Sequence, residues 1–304
     1  MSRHPAPSRR DFIRLAATSL SLTAAAEFGH VSAADLAPSP SPSPSPSLAR
    51  DSEIAVSRSS YQSQGRTVVV ERFEPKGAGK FPAVLVVHGS GGLILGGPSF
   101  RETARRLAKN GYVAYVVHYF DLTDTVIADP ETMQKNFACW MKGLADGVTY
   151  LASRPNVDPD RIGLVGFSLG GFLSVSLSVF DYRIQAVADY FGGIPGPLAK
   201  EVKTFPPLLI MHGDADLIVP VSEAKRLEDL CKEKNAVHEV KIYKGLGHGF
   251  RGEDGEDAGR RVIAFLDTHV KPGSPTRPRR VTAAVPSTEA ITRAVKTALE
   301  SKKR

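Results

Sequence analysis

Three side chains far apart along the chain, Ser168, Asp216 and His248, have the types and surroundings that nucleophilic catalysis requires. A serine hydroxyl is a weak nucleophile until a base takes its proton, and the base needs a third group to fix its tautomer. Ser168 lies in Gly166-Phe167-Ser168-Leu169-Gly170-Gly171. Before it come Ile162, Leu164 and Val165, which read as a buried strand, and after it Phe172 to Val179, an apolar run of helical length. Strand, G-x-S-x-G, helix is the context in which the motif lifts a serine onto a sharp turn. The flanking glycines let the two backbones approach, and the helix N-terminus favours negative charge developing beside the hydroxyl.

Downstream, His212-Gly213-Asp214-Ala215-Asp216-Leu217-Ile218-Val219-Pro220 follows an expected strand at 208–211. Asp214 competes with Asp216, which stands later in the loop, just before Leu-Ile-Val-Pro, and is preferred. Gly245-Leu246-Gly247-His248-Gly249-Phe250 follows an expected strand at 237–243. Of the 8 histidines, only His248 has glycine on both sides, which gives its ring a loop able to approach Ser168. His88 and His212 each precede glycine at a strand end and read as loop braces. His238 and His269 fall inside a strand and a helix, His118 ends a strand, and His4 and His30 lie near the N-terminus. An oxyanion formed at Ser168 needs two donors. The backbone N–H of Leu169 is one, and that of Ser90, in the glycine-rich loop His88-Gly89-Ser90-Gly91-Gly92, is assigned as the other.

The elements that must position these groups alternate. Residues 53–73 read as an antiparallel pair at a sheet edge, 83–87, 112–117, 162–165, 184–190, 208–211 and 237–243 as strands, and 99–109, 130–153, 172–179, 221–234 and 258–270 as helices. Strands alternating with helices imply an α/β fold with a mainly parallel sheet flanked by helices. Ligands then belong at the carboxyl ends of the strands. Only Gly192 to Pro206 separates two successive strands, too short a stretch for a large lid domain, so an open pocket is expected. Its lining is assigned to Leu93, Tyr119, Phe120, Trp140, Phe191, Ile218 and Phe250.

The domain itself is assigned to residues 51–271. Ser8-Arg9-Arg10-Asp11-Phe12, the apolar run Leu15 to Ala26 and Val31-Ser32-Ala33 resemble a twin-arginine export signal over residues 1–34. That reading makes the export machinery a partner of the precursor and the periplasm or exterior its destination. Residues 35–50 hold a Pro/Ser spacer, and 272–304 a basic tail. The tail carries a net +6 and the first 34 residues +2 of the total +7, which leaves the body near −1. Basic charge confined to the ends argues against a nucleic-acid partner. No run approaches the ~18 apolar residues of a membrane span. The 2 cysteines, Cys139 and Cys231, make no disulfide framework or metal site and read as free thiols, and no metal is expected.

The segments VVHGSGG at 86–92, GFSLGG at 166–171, HGDADLIVP at 212–220 and GLGHGF at 245–250 resemble the dienelactone hydrolase family of α/β-hydrolases over about residues 65–270. The resemblance implies hydrolysis of small esters or lactones through a covalent acyl-enzyme, without a cofactor. The sequence departs from the family's type enzymes in three ways. Ser168 stands where they carry cysteine, Gly89 where they carry glutamate, and the arginines that hold a substrate carboxylate are matched only loosely, by Arg251. Ester hydrolysis by a serine triad is thereby favoured over the dienelactone itself. The rival readings are a peptidase of the same fold, which would bring a recognition domain or lid, and a non-catalytic exported binding protein, which would not need all three side chains.

Overall fold

A computed structural model of the chain describes residues 54–274. The proposed signal, the spacer and the tail beyond 274 lie outside the described residues.

The chain opens with β1 (Ile54–Ser63) and β2 (Arg66–Pro75), antiparallel along their whole length. Gln64 and Gly65 both take positive φ between them, the backbone of a two-residue turn that matches strand twist. There follow β3 (Phe81–Val87), α1 (Gly92–Lys109), β4 (Val113–Val117), a short 3-10 turn (Tyr119–Leu122), α2 (Pro130–Ala152), β5 (Val157–Phe167), α3 (Leu169–Phe180) and β6 (Ile184–Tyr190). A single helical turn α4 (Gly196–Ala199), β7 (Leu208–Gly213), α5 (Ser222–Glu233), β8 (His238–Tyr243) and α6 (Gly252–His269) complete the order. The eight strands form one sheet in the order β1-β2-β4-β3-β5-β6-β7-β8, parallel from β4 to β8 and antiparallel at β1 and β2.

The central strands are apolar throughout because both faces are covered, as parallel strands require. Leu144 and Val148 of α2, Leu173 and Leu177 of α3 and Leu227 of α5 pack on one face against Leu85, Leu164 and Ile210. Phe100 and Leu107 of α1 and Val262 and Phe265 of α6 pack on the other, against Val84, Val86 and Val165. Asp129 caps α2 by accepting the Thr132 N–H at 2.7 Å, with Pro130 in the first turn, where it loses no helical bond.

α3 starts at Leu169 and not 172, directly after the serine turn, and two helices, α1 and α6, start still earlier than their patterns predict. α1 begins at Gly92 and not 99: Gly92, Gly96, Gly97 and Pro98, which read as loop, lie inside it, and Pro98, in the second turn, leaves the Ile94 carbonyl without its helical donor. α6 begins at Gly252 and not 258: Glu253 and Asp254 occupy its first turn, where carboxylates complement the helix dipole. Both starts face the site. No lid occupies the connection from β6 to β7, which holds only α4.

Candidate active site

β5 ends at Phe167 and α3 begins at Leu169, so the turn between them is the single residue Ser168, held at φ 54 and ψ −118. A non-glycine residue at such a φ is strained and persists only where its surroundings hold it. Here the Ser168 N–H donates to the Tyr190 carbonyl at 2.9 Å, and the Ser168 carbonyl accepts from the Phe172 N–H at 3.0 Å. Two neighbours must be glycine: a β-carbon at Gly166 would lie 2.3 Å from the Gly170 carbonyl oxygen, and one at Gly170 would lie 2.1 Å from that of Val87.

The loops after β7 and β8 bring in the other two groups. A β-carbon at Gly213 would meet the Leu246 carbonyl at 2.1 Å, so the two loops pack backbone on backbone. Asp216 is buried; its Oδ1 accepts the N–H groups of Ile218 at 2.8 Å and Val219 at 2.9 Å, and its Oδ2 accepts from His248 Nδ1 at 2.7 Å. A carboxylate can only accept, so Nδ1 carries the proton and Nε2 is the acceptor, facing the Ser168 hydroxyl at 2.9 Å. Burial works against the charge of Asp216, but hydrogen bonds from His212 and His248 outweigh it and hold the carboxyl far below the usual range. Asp214, the competing carboxylate, is exposed and accepts the Gly245 N–H at 2.6 Å, tying one loop to the other. Ser168, Asp216 and His248 thus form one continuous hydrogen-bonded chain.

The loop after β3 approaches the serine from the other side. A β-carbon at Gly89 would stand 3.3 Å from that of Ser168, so a longer side chain here would crowd the nucleophile. Ser90 accepts the Ala128 N–H at its carbonyl at 2.8 Å, which fixes the peptide next to the one expected to donate to an oxyanion. Leu169 is the first residue of α3, where an N–H has no partner within the helix. Ser90, Ser168 and His248 line one cleft of about 740 Å³.

Two of the seven residues assigned to the pocket, Phe191 and Phe250, line this cleft, and the Phe191 ring lies 4.6 Å from that of His248. The other five do not, and each departure has a local cause. Tyr119, Phe120 and Trp140 are buried behind the Ser90 loop: Tyr119 stacks on His88 at 4.1 Å and donates to the His88 carbonyl at 2.8 Å, and Phe120 packs on Trp140 at 4.7 Å. They brace that loop. Leu93 faces the core because α1 already runs through it, which puts Leu95, two residues on, into the cleft instead. Ile218 is exposed, its N–H spent on Asp216. Buried apolar residues of the lining come from Phe100 and Leu107 on α1, Val262 on α6, and Phe167 and Tyr190 at strand ends. In the sequence these residues read only as the apolar faces of helices and strands, and nothing in their spacing marked them as lining.

Sequence reasoning also passed over Asp189, at the end of β6. It is fully buried; among the described residues no side chain bonds its oxygens, the backbone N–H of Gly192 does not offset the burial, and His212 Nδ1 is likewise left without a partner. A β-carbon at Gly171 would lie 2.1 Å from Asp189 Oδ1. Burial pushes this carboxyl up to about 8. Unfolded, it ionises near pH 4 (about 3.9), so between about pH 4 and 8 the folded protein holds a proton that the unfolded chain has lost. Stability contributed here is therefore lost as pH rises through that window. Asp189→Asn is expected to raise the denaturant midpoint relative to the parent near pH 8 and to match it near pH 4; a pH-independent difference would show the charge to be irrelevant. His212 acts as a brace: its Nε2 lies 2.8 Å from the Val219 carbonyl and 3.4 Å from Asp216 Oδ2. Cys139 and Cys231 are free thiols.

The model of the dienelactone hydrolase family matches residues 69–268. A Synechocystis sp. protein provisionally named a carboxymethylenebutenolidase is 26% identical over 226 residues, covering 65% of this chain and 90% of its own length. An Escherichia coli K12 protein of the same provisional name is 26% identical over 241 residues, covering 71% and 88%. Among solved structures, a dienelactone hydrolase from Anabaena variabilis superposes with a TM-score of 0.57 at 18% identity, over 72% of this chain and 100% of that one. At that identity the shared property is the α/β-hydrolase fold.

Proposed function

The chain belongs to the dienelactone hydrolase family, and from that premise we propose that it hydrolyses small carboxylic esters or lactones through an acyl-enzyme on Ser168. The observation that carries this reading is the pair of hydrogen bonds, 2.9 Å and 2.7 Å, that join Ser168 to His248 and His248 to Asp216. His248 Nε2 removes the hydroxyl proton as Oγ attacks the ester carbonyl, and Asp216 stabilises the imidazolium so formed. The oxyanion is received by the N–H groups of Leu169 and Ser90. Collapse expels the alcohol, protonated by His248, and water then repeats the sequence to release the acid.

A burst of 4-nitrophenol from 4-nitrophenyl acetate, with a matching acetyl mass increment on the peptide containing Ser168, is the expected result. Turnover with no acyl-enzyme on that peptide would reject the mechanism. The carboxymethylenebutenolidase names of the relatives place a lactone among the substrates to be tested.

The Arg9-Arg10 pattern supports export by the twin-arginine route. Changing both arginines to lysine is expected to leave the precursor inside the cell; undiminished secretion, measured by fractionation, would refute it.

A further inference from the structure

The cleft is larger than the reaction at Ser168 needs. At about 740 Å³ it falls in the range that encloses a drug-sized molecule, several times the size of an acetyl group. Its reactive groups are gathered at one end, where Gly89 to Gly92, Ser168 and His248 meet, while the exposed Ser99, Glu102, Arg251 and Glu256 also belong to its lining. From there it follows α1 from Leu95 to Leu107, about 18 Å of helix axis, with α6 as its opposite wall. Its floor is apolar and closed to solvent: Phe100, Leu107, Phe167, Tyr190 and Val262 are each less than a tenth exposed. Leu95, in the lining of the same cleft, is 69% exposed, an apolar side chain left in water. Where the α1 lining ends, Arg106 Nη2 donates to both carboxylate oxygens of Glu256 on α6, each at 2.8 Å. The α6 backbone accommodates this strap, since a β-carbon at Gly259 would stand 2.2 Å from the Arg106 guanidinium.

We infer that the groove between α1 and α6 receives an extended apolar arm of the ester, and that the Arg106–Glu256 pair limits how long that arm can be. The inference rests on Ser168 being the nucleophile, and names the class of substrate it acts on. An alkyl arm laid on the floor exchanges water for buried carbon along its length, while the carbonyl is held at the polar end. Arg106, its charge balanced by Glu256, is not free to hold a substrate carboxylate in the distal part of the groove.

The test measures kcat/KM on two series, 4-nitrophenyl acetate, butyrate and octanoate to vary the acyl arm, and ethyl and octyl acetate to vary the alcohol. The longer member is expected to be preferred by roughly tenfold or more in one series. Thr103→Trp, which puts bulk into the groove from a part-exposed face of α1, is expected to lower kcat/KM of that longer ester by about tenfold and leave the shortest within about twofold. Arg106→Ala is expected to shift the preference further toward the longer ester, and it decides the matter if the tryptophan variant does not fold. A flat preference in both series, an equal loss on short and long esters in Thr103→Trp, or an unshifted preference in Arg106→Ala would overturn the inference. Acetate turnover lost in Ser168→Ala alongside a flat series would remove the groove and leave the nucleophile standing. Turnover surviving in Ser168→Ala would remove both.

Discussion

Ser168→Ala is expected to lower kcat for 4-nitrophenyl acetate by about a million-fold, the effect seen where a triad nucleophile is removed from a serine hydrolase. The size follows from what the serine does. Without Oγ no covalent intermediate forms, and the residual rate comes only from the oxyanion donors and from holding ester and water together. The backbone supports a clean test, because Ser168 makes its two structural hydrogen bonds through its own N–H and carbonyl, and alanine keeps both. Folding, read by thermal unfolding, is therefore expected to change little. Loss of activity with an intact melting transition is the predicted pair of results; a variant that keeps most of its turnover would place the nucleophile elsewhere.

The second large effect is expected at Asp216. Asp216→Asn should reduce kcat by about ten-thousand-fold, because an amide can present a donor to His248 Nδ1 and so favour the tautomer that puts the proton on Nε2, facing the serine. The cost exceeds that of the lost charge alone, and Asp216 has more to lose than most carboxylates. Its Oδ1 takes two backbone N–H groups, from Ile218 and Val219, while its Oδ2 is approached by both His248 and His212. An asparagine can keep the oxygen on the backbone side, and then turns its amide nitrogen toward the two imidazoles. The competing carboxylate supplies the control: Asp214→Asn lies on the same loop, but its oxygen serves the Gly245 N–H, so a loss of about tenfold or less is expected there. Equal losses at both positions, measured as kcat on one ester, would deny Asp216 its role.

The aromatic residues show why some of the site was not legible. Tyr119, Phe120 and Trp140 follow or face the strand ends, which makes them good candidates for a pocket, and they lie in its immediate vicinity. They are turned inward because the Ser90 loop needs a packed base, and the burial of three aromatic rings and His88 supplies it. A side chain's direction there depends on what lies across the core, and linear periodicity carries no such information. Leu93 and Leu95 make the same point at smaller scale, since a displaced helix start exchanges which of the two meets the cleft.

Residue types and their order along the chain were sufficient for the parallel sheet, for the sharp turn at Ser168 and for the placing of Asp216 and His248 on loops just beyond strand ends. The reason is that each rests on short-range chemistry: glycines where backbones must touch, apolar runs where both faces are covered, and a polar residue just beyond a strand end. The floor of the cleft, the strap from Arg106 to Glu256 and the stranded carboxyl of Asp189 were decided only when α1 and α6 packed on one face of the sheet and α3 on the other. Each depends on separate elements coming together, and whether two side chains meet, or a carboxyl is buried and keeps its proton, depends on distances that the folded arrangement alone sets.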